Sequence, residues 1–298
     1  MTSLISVVEL DDLVARLDQY FRVPEIRDDD WSPGFDDCYP DPYWRDYAEP
    51  EYPTRWNGLM VRGAPEVEQV VTCVFPSDKI IGGLPPRTLL FSEHPLDFGE
   101  VTLFKPLSRT AFERMRADAI SFYHVHAPLD MHPEVSPSRL VATGLGLHDL
   151  EEYGPIAEGI PGGACIIGES TGSLDQLARS LEEVVGAEVP VEVVTRPREQ
   201  AGRVAVVAGG GADVSLLEQS LARGCTSYVT GNAARRPQHP FFRPKFDAFR
   251  KLAVEHKVAL VDGTHYGTEK PPQLAIVEWF RRLGVKAEFQ PDGPKLDG

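Results

Sequence analysis

From Val67 onward the chain alternates short apolar runs with stretches of helical period, and this alternation constrains the fold more than any other feature. The strand-like runs are Val67–Phe75, Thr88–Phe91, Ile120–His126, Ala164–Gly168, Val189–Val194, Arg203–Val207, Ser227–Thr230, Val258–Val261 and Lys286–Phe289. Helical stretches fall between them at Ser108–Asp118, Ser136–Thr143, Ser173–Val185, Asp213–Arg223, Lys245–Glu255 and Gln273–Leu283. Ser173 with Gln176 makes a capping box, and Leu174, Leu177, Leu181 and Val184 follow on one face. Strands this apolar need helices to cover their faces, so the pattern predicts a layered α/β protein. There is no repeat at a solenoid period.

The first fifth of the chain reads differently. Ser6 with Glu9 predicts a capping box and a helix over 7–20, with Val8, Leu10, Val14 and Leu17 on its apolar face. Residues 28–56 then combine Pro and Asp with eight of the chain's 27 aromatic residues: Trp31, Phe35, Tyr39, Tyr43, Trp44, Tyr47, Tyr52 and Trp56. So much Pro and acid opposes a regular element, while so many rings oppose a segment left in water. The segment reads as an ordered arm packed on this subunit or on a neighbour. A lid over an active site and a disordered tether are the other two readings.

Composition narrows the function. At 298 residues the chain makes one large domain or two lobes. Its net charge of −15, with 14 acids against 5 bases in residues 1–60, argues against a nucleic-acid binder but leaves room for a local basic pocket. No run of 18 apolar residues predicts a membrane span, and residues 1–10 do not read as a signal peptide. Cys38, Cys73, Cys165 and Cys225 form no C-x-x-C pair; widely spaced thiols without an export signal read as buried side chains of a cytoplasmic protein.

Three segments concentrate metal-type side chains, each at the end of a strand-like run: Glu93-His94, His124-Val125-His126 with Asp130, and His265 with Glu269. Ligands of open α/β sheets bind at that edge. His126 and Asp130, like His265 and Glu269, are spaced i, i+4 and share a face if helical; His124 and His126 share a face on a strand. Carboxylate and imidazole together suit Zn, Fe, Mn or Co better than Ca or Mg. Glu93, His94, His126, Asp130, His265 and Glu269 exceed the needs of one tetrahedral ion and suffice for two ions sharing a bridging carboxylate and a water. Taken singly, each reads equally as a structural histidine or a surface pair.

Two further features stay open on sequence grounds. Gly209-Gly210-Gly211 between a strand and a helix reads as a tight packing turn or as an anion-binding turn, with Asp213 placed to cap the helix itself. Arg235, Arg236, Arg243 and Lys245 form a basic island that reads as a solvated loop, a subunit contact or a hold for an anionic substrate.

The chain resembles the NIF-three-like proteins. Trp56-Asn57-Gly58-Leu59-Met60-Val61 is similar to the family's W-D-N-x-G-L segment, and Glu93-His94-Pro95-Leu96 with Phe104-Lys105-Pro106-Leu107 to its H-H-P-L-x-F-x-P-L, with an insertion between. His126-Ala127-Pro128-Leu129-Asp130 resembles H-T-x-L-D, with Gly144-Leu145-Gly146-Leu147 following. Gly168-Glu169, Arg203–Gly211 and Tyr228-Val229-Thr230-Gly231-Asn232 resemble R-I-G-E-L, V-A-V-x-x-G-S-G and Y-I-T-G-D, and His265-Tyr266-Gly267-Thr268-Glu269 resembles G-H-Y-A-T-E. The resemblance covers most of the chain outside 28–55.

That resemblance implies two interlaced α/β lobes with a metal cleft between them. It sets a first lobe at 1–125, completed by 232–298, and a second at 126–231. It implies a metal role for His94, His126, Asp130, His265 and Glu269, a ring-shaped homohexamer, and an activity in places called type-two GTP cyclohydrolase. Glu93 stands where the family has a histidine, so two ions with harder ligands or a single ion are both open; Asn232 stands where it has an aspartate. The function expected is a hydrolase using two divalent transition-metal ions (Zn, Fe or Mn) on a small anionic or heterocyclic, nucleotide-like substrate. Asp130 or Glu269 would bridge the ions, and His124 or Glu93 would serve as base if not a ligand. The alternatives are a metal-binding or metal-delivery protein without turnover and an oligomeric scaffold. Neither nucleic acid nor membrane is expected as a partner.

Overall fold

The computed structural model describes residues 7–28, 35, 37–98, 104–154, 160–237 and 240–293. The chain begins as β1 (Val8–Glu9) and α1 (Leu10–Tyr20), which buries Leu10, Leu13 and Leu17. The expected helix over 7–20 therefore starts late. Val8 and Glu9 pair antiparallel with Val67 and Glu66, and the cap falls on Glu9, whose side chain makes no capping bond. Ser6 lies outside the described residues.

Two compact units follow. The first takes residues up to Phe98, Phe104–Leu129 and Gln273–Asp292; the second takes Asp130–Pro272 with two short flanking pieces. The first contains α2 (Tyr52–Arg55), β2 (Gly58–Val61), β3 (Glu66–Val67), β4 (Gln69–Cys73), α3 (Asp78–Gly83), β5 (Thr88–Ser92), the β6 (Asp97–Phe98) and β7 (Phe104–Lys105) ribbon, α4 (Arg109–Ala117) and β8 (Ser121–His124). One-turn α5 (Ala127–Asp130) leads into the second unit: α6 (Pro137–Gly144), β9 (His148–Tyr153), β10 (Cys165–Ser173), α7 (Leu174–Val185), β11 (Glu192–Thr195), β12 (Gln200–Val207), α8 (Val214–Ala222), β13 (Ser227–Thr230), α9 (Arg243–Glu255) and β14 (Ala259–Asp262). Then α10 (His265–Arg282) and β15 (Ala287–Phe289) close the chain's described part.

The first unit's sheet has the order β15-β4-β5-β8-β2, parallel except for β2. Every residue of β4 and β5 is buried, which is why both read as continuous apolar runs rather than alternating ones. The aromatic arm belongs to this unit's core. Phe35, Tyr39, Trp44, Tyr52 and Trp56 are buried against Leu107, Phe112 and Met115, while Arg109 and Arg116 lie over the Tyr43 and Tyr47 rings. Of the placements expected, the one on this subunit is what these rings adopt, and a tether is excluded for them. Trp31 lies outside the described residues.

The second unit's sheet has the order β11-β14-β13-β12-β10-β9, with β12, β13 and β14 parallel and the rest antiparallel. Residues 232–272 stay in this unit, so the chain returns to the first at Gln273, not at 232. The physical reason is that α9 is the crossover between parallel neighbours β13 and β14, and such a unit keeps both strands in one sheet. The Ser173 capping box is present, its side chain accepting from Gln176 N while Gln176 bonds back to Ser173 N. Sequence reading missed β9, whose exposed HDLEEY pattern carries no apolar alternation. All four cysteines are free, and among the described residues no helix is long and apolar enough to cross a membrane.

Candidate metal centre

In the first unit, β5 and β8 are parallel neighbours in register, with Ser92 opposite His124. The chain therefore leaves both strands at the same level of the sheet, and Val125 N donates to Ser92 O at 3.0 Å. This brings His94 and His126 side by side, their rings 5.1 Å apart. His94 is buried and stacks on Phe75 at 4.5 Å, with Phe104 on another side at 5.5 Å. Glu93 is fully buried beside it, its Oε2 accepting from Gln273 Nε2 at 3.3 Å.

His126 is half-buried, and its Nδ1 lies 2.7 Å from Asp28 Oδ2. Asp28 Oδ2 also accepts from Ala127 N at 3.1 Å, and Asn57 Oδ1 accepts from His126 N at 2.8 Å. Burial alone would raise the Asp28 carboxyl, but the charge and hydrogen bond of His126 and the Ala127 amide outweigh it and hold Asp28 below the ordinary carboxylate range. A carboxylate on one ring nitrogen fixes the tautomer and turns the other nitrogen outward as a lone-pair donor, the usual arrangement around a metal-binding histidine.

His124 takes a different role. It is fully buried, its Nδ1 lies 3.1 Å from the Tyr52 hydroxyl, and burial, with His126 and His94 nearby, pushes its pKa well below the ordinary value. A fully buried imidazole bonded this way is held neutral in the core of the first unit. Asp130 ends α5, half-exposed, and belongs to the second unit's stretch of chain.

In the second unit, α10 opens directly after β14, and its first turn carries the other donors. His265 and Glu269 are both buried, with Nε2 and Oε1 2.9 Å apart, so the i, i+4 spacing does place them on one helical face. The glycine turn after β12 seats them. Gly209 has φ +65°, and a Cβ there would lie 2.0 Å from Glu269 Oε1 and 3.2 Å from His265 Nε2. Gly209 N donates to Thr268 Oγ1 at 2.8 Å and Gly209 O accepts from Gly231 N at 3.1 Å.

The same turn answers the question left open by sequence. Ala212 N is taken by Asn232 Oδ1 at 2.7 Å, and Leu216 N by Asp213 Oδ1 at 2.9 Å, so the start of α8 is capped from within. It is a packing turn that cradles His265 and Glu269. Asn232 thus has a structural task in the position where an acid was expected. In the basic island, Arg236 pairs with Asp247, Arg243 Nε donates to Pro237 O at 3.5 Å and Lys245 lies over the Phe241 ring, which ties those three cations into the protein surface.

Asp262, at the end of β14, was not found by sequence reading. It is buried and its Oδ2 accepts from Ala233 N and, at 2.9 Å, from Ala234 N, while its Oδ1 accepts from Thr264 N at 2.8 Å. Burial still carries its carboxyl above the ordinary range despite those donors. Asp28 and Gln273 were missed as well. Asp28 looked like one of three consecutive acids, and Gln273 like one more helical residue; only contacts across 98 and 180 residues mark them.

The donor set tests well against a transition metal: each unit offers buried imidazole and carboxylate, one imidazole is backed by a carboxylate, and the other sits in a cradle only glycine can form. The comparisons agree with the fold. A family model described as Duf34/NIF3 (NGG1p interacting factor 3) matches residues 44–290. Proteins named "GTP cyclohydrolase 1 type 2 homolog" from Deinococcus radiodurans and Pyrococcus abyssi are 27% and 26% identical; the alignments cover 87% and 78% of this chain and 83% and 88% of theirs. Among solved structures, the protein ybgI matches with a TM-score of 0.66 at 22% identity over 96% of this chain and 100% of its own. Reduced HcgD from Methanocaldococcus jannaschii matches with a TM-score of 0.65 at 18% identity over 96% of this chain and 99% of its own. With the family match spanning 44–290, the chain belongs to the Duf34/NIF3 family.

Proposed function

We propose that this protein is a metal-dependent hydrolase acting on a small, anionic or heterocyclic, nucleotide-like substrate through two divalent transition-metal ions (Zn, Fe or Mn). The ligands proposed are Glu93, His94, His126, Asp130, His265 and Glu269, with Asp130 or Glu269 bridging. The observation that carries the reading is the Asp28–His126 pair, a buried carboxylate 2.7 Å from Nδ1 that serves no surface purpose and suits a ligating Nε2. The name shared by the relatives, GTP cyclohydrolase 1 type 2 homolog, supports a nucleotide-like substrate.

Ions bound there would polarise the substrate and lower the pKa of a coordinated water. The chain's own residues prepare the ligand atoms. Asp28 keeps a proton on His126 Nδ1. Gln273 orients the Glu93 carboxylate through Oε2. His265 Nε2 and Glu269 Oε1 lie 2.9 Å apart on one helical face, and a cation would compete with protons for both ligand atoms, so affinity should rise with pH. The homohexamer implied by the resemblance and the cytoplasmic location read from the widely spaced cysteines remain part of this proposal.

The test is elemental analysis of tag-free protein beside His265→Ala/Glu269→Ala and Asp28→Asn, followed by turnover assays with GTP and other cyclic amidines, phosphoesters and amides. About two ions per chain, lost in the double variant and held about 10–100-fold more weakly in Asp28→Asn, with turnover of one substrate, is the expected result. Metal without turnover would favour delivery. No metal after reconstitution with Fe, Zn and Mn would overturn the reading.

A further inference from the structure

Thr264, the residue immediately before His265, has φ +62°. A β-branched residue in the left-handed region is a true outlier that persists only where its surroundings fix it. What fixes it is visible. Thr264 N donates to Asp262 Oδ1 at 2.8 Å, Thr264 Oγ1 accepts from Gly267 N at 3.0 Å, and Thr264 O accepts from Thr268 N at 3.1 Å. The other oxygen of Asp262 accepts from Ala233 N and Ala234 N, in the loop that follows β13. That loop presses on the same place: a Cβ on Gly231 would lie 2.6 Å from His265 Cα and 2.6 Å from Thr264 O. One buried carboxylate therefore ties two strand-end loops together at the point where His265 begins its helix.

The geometry points to Asp262 as a positioning residue that pre-forms the His265–Glu269 donor pair by clamping Thr264 in its strained conformation. It touches neither metal nor substrate in this role; it acts through the backbone. A clamp made of three amide donors converging on one carboxylate is stiffer than the turn alone, because its bonds restrict two separate segments at once. With it in place, His265 arrives at its ligating orientation without ordering cost, and the metal gains affinity by the amount not spent on ordering. This inference rests on the metal centre proposed above, but its first readout does not need metal.

The test uses the full-length chain and two variants. Asp262→Asn keeps the shape and removes the charge; Asp262→Asn/Thr264→Gly adds at 264 a residue that holds φ +62° without a clamp. In metal-free protein, the side-chain NMR signals of His265 should be single and sharp in the wild type, broadened or doubled in Asp262→Asn, and sharp again in the double variant. With Zn titrated against a competing chelator, Asp262→Asn should bind about 10-fold more weakly or worse, and the double variant should recover most of that loss. Sharp, unshifted His265 signals in Asp262→Asn overturn the clamp whether or not metal binds; if Asp262→Asn does not fold, a double variant that also fails to fold or keeps broad His265 signals overturns it. Unchanged Zn affinity in folded Asp262→Asn overturns it as well. A wild type that binds no Zn, Fe or Mn defeats the metal reading alone, since the His265 signals then still decide the clamp.

Discussion

Replacing Gly209 by alanine separates two costs that the structure places at one residue. The first is conformational. Gly209 has φ +65°, and holding alanine in the left-handed region costs about 1–2 kcal/mol. The second is steric: the new methyl would lie 2.0 Å from Glu269 Oε1, 3.0 Å from its Cδ and 3.2 Å from His265 Nε2. Glu269 cannot swing aside freely, because it is buried and paired with His265. Displacing it belongs with overpacking, at about 1–3 kcal/mol. Gly224 supplies the control, with φ +79° and nothing within 4 Å of an added methyl, so alanine there carries the backbone cost alone. Gly224→Ala should lose about 1–2 kcal/mol and Gly209→Ala about 2–5 kcal/mol. Chelated protein in a urea titration, followed by circular dichroism and by intrinsic fluorescence, measures both. Metal content should fall in Gly209→Ala and hold in Gly224→Ala. Equal destabilisation of the two variants with equal metal content would refute the cradle.

Two other perturbations probe the aromatic arm and a buried thiol. Trp44 is fully buried among Phe35, Tyr52 and Trp56, so Trp44→Ala should destabilise the first unit by about 3–5 kcal/mol; a variant with wild-type stability and an altered mass by light scattering would instead make the arm a subunit contact. Burial first, and Glu151 and Glu169 after it, push the Cys225 thiol from 9.0 up to about 12, with Arg203 and Arg223 opposing. The folded state thus favours the protonated thiol: this contribution to stability is intact below pH 9 and is lost as pH climbs toward 12. Iodoacetamide at about pH 8, below the ordinary thiol pKa, should leave Cys225 unmodified until the chain unfolds, and rapid alkylation of native protein would contradict that.

Local chemistry settled much of this protein before any tertiary contact. The apolar runs at Thr88–Ser92, Ser227–Thr230 and Ala259–Asp262 are strands because β-branched and large apolar side chains buried on both faces suit nothing else, and Ser173 with Gln176 caps its helix by short-range bonds alone. His265 and Glu269 sit on one face because four residues make about one helical turn. Other decisions needed the folded chain. Strand pairing set His94 beside His126, since only the register of two parallel strands puts residues 32 apart on one level. Packing drew the acidic aromatic arm into the core, because its rings found Phe112 and Met115 far along the chain. Asp28, Gln273 and Asp262 gained their roles the same way: a buried carboxylate or amide is defined by the donors and acceptors that surround it, and these come from segments that sequence spacing does not relate.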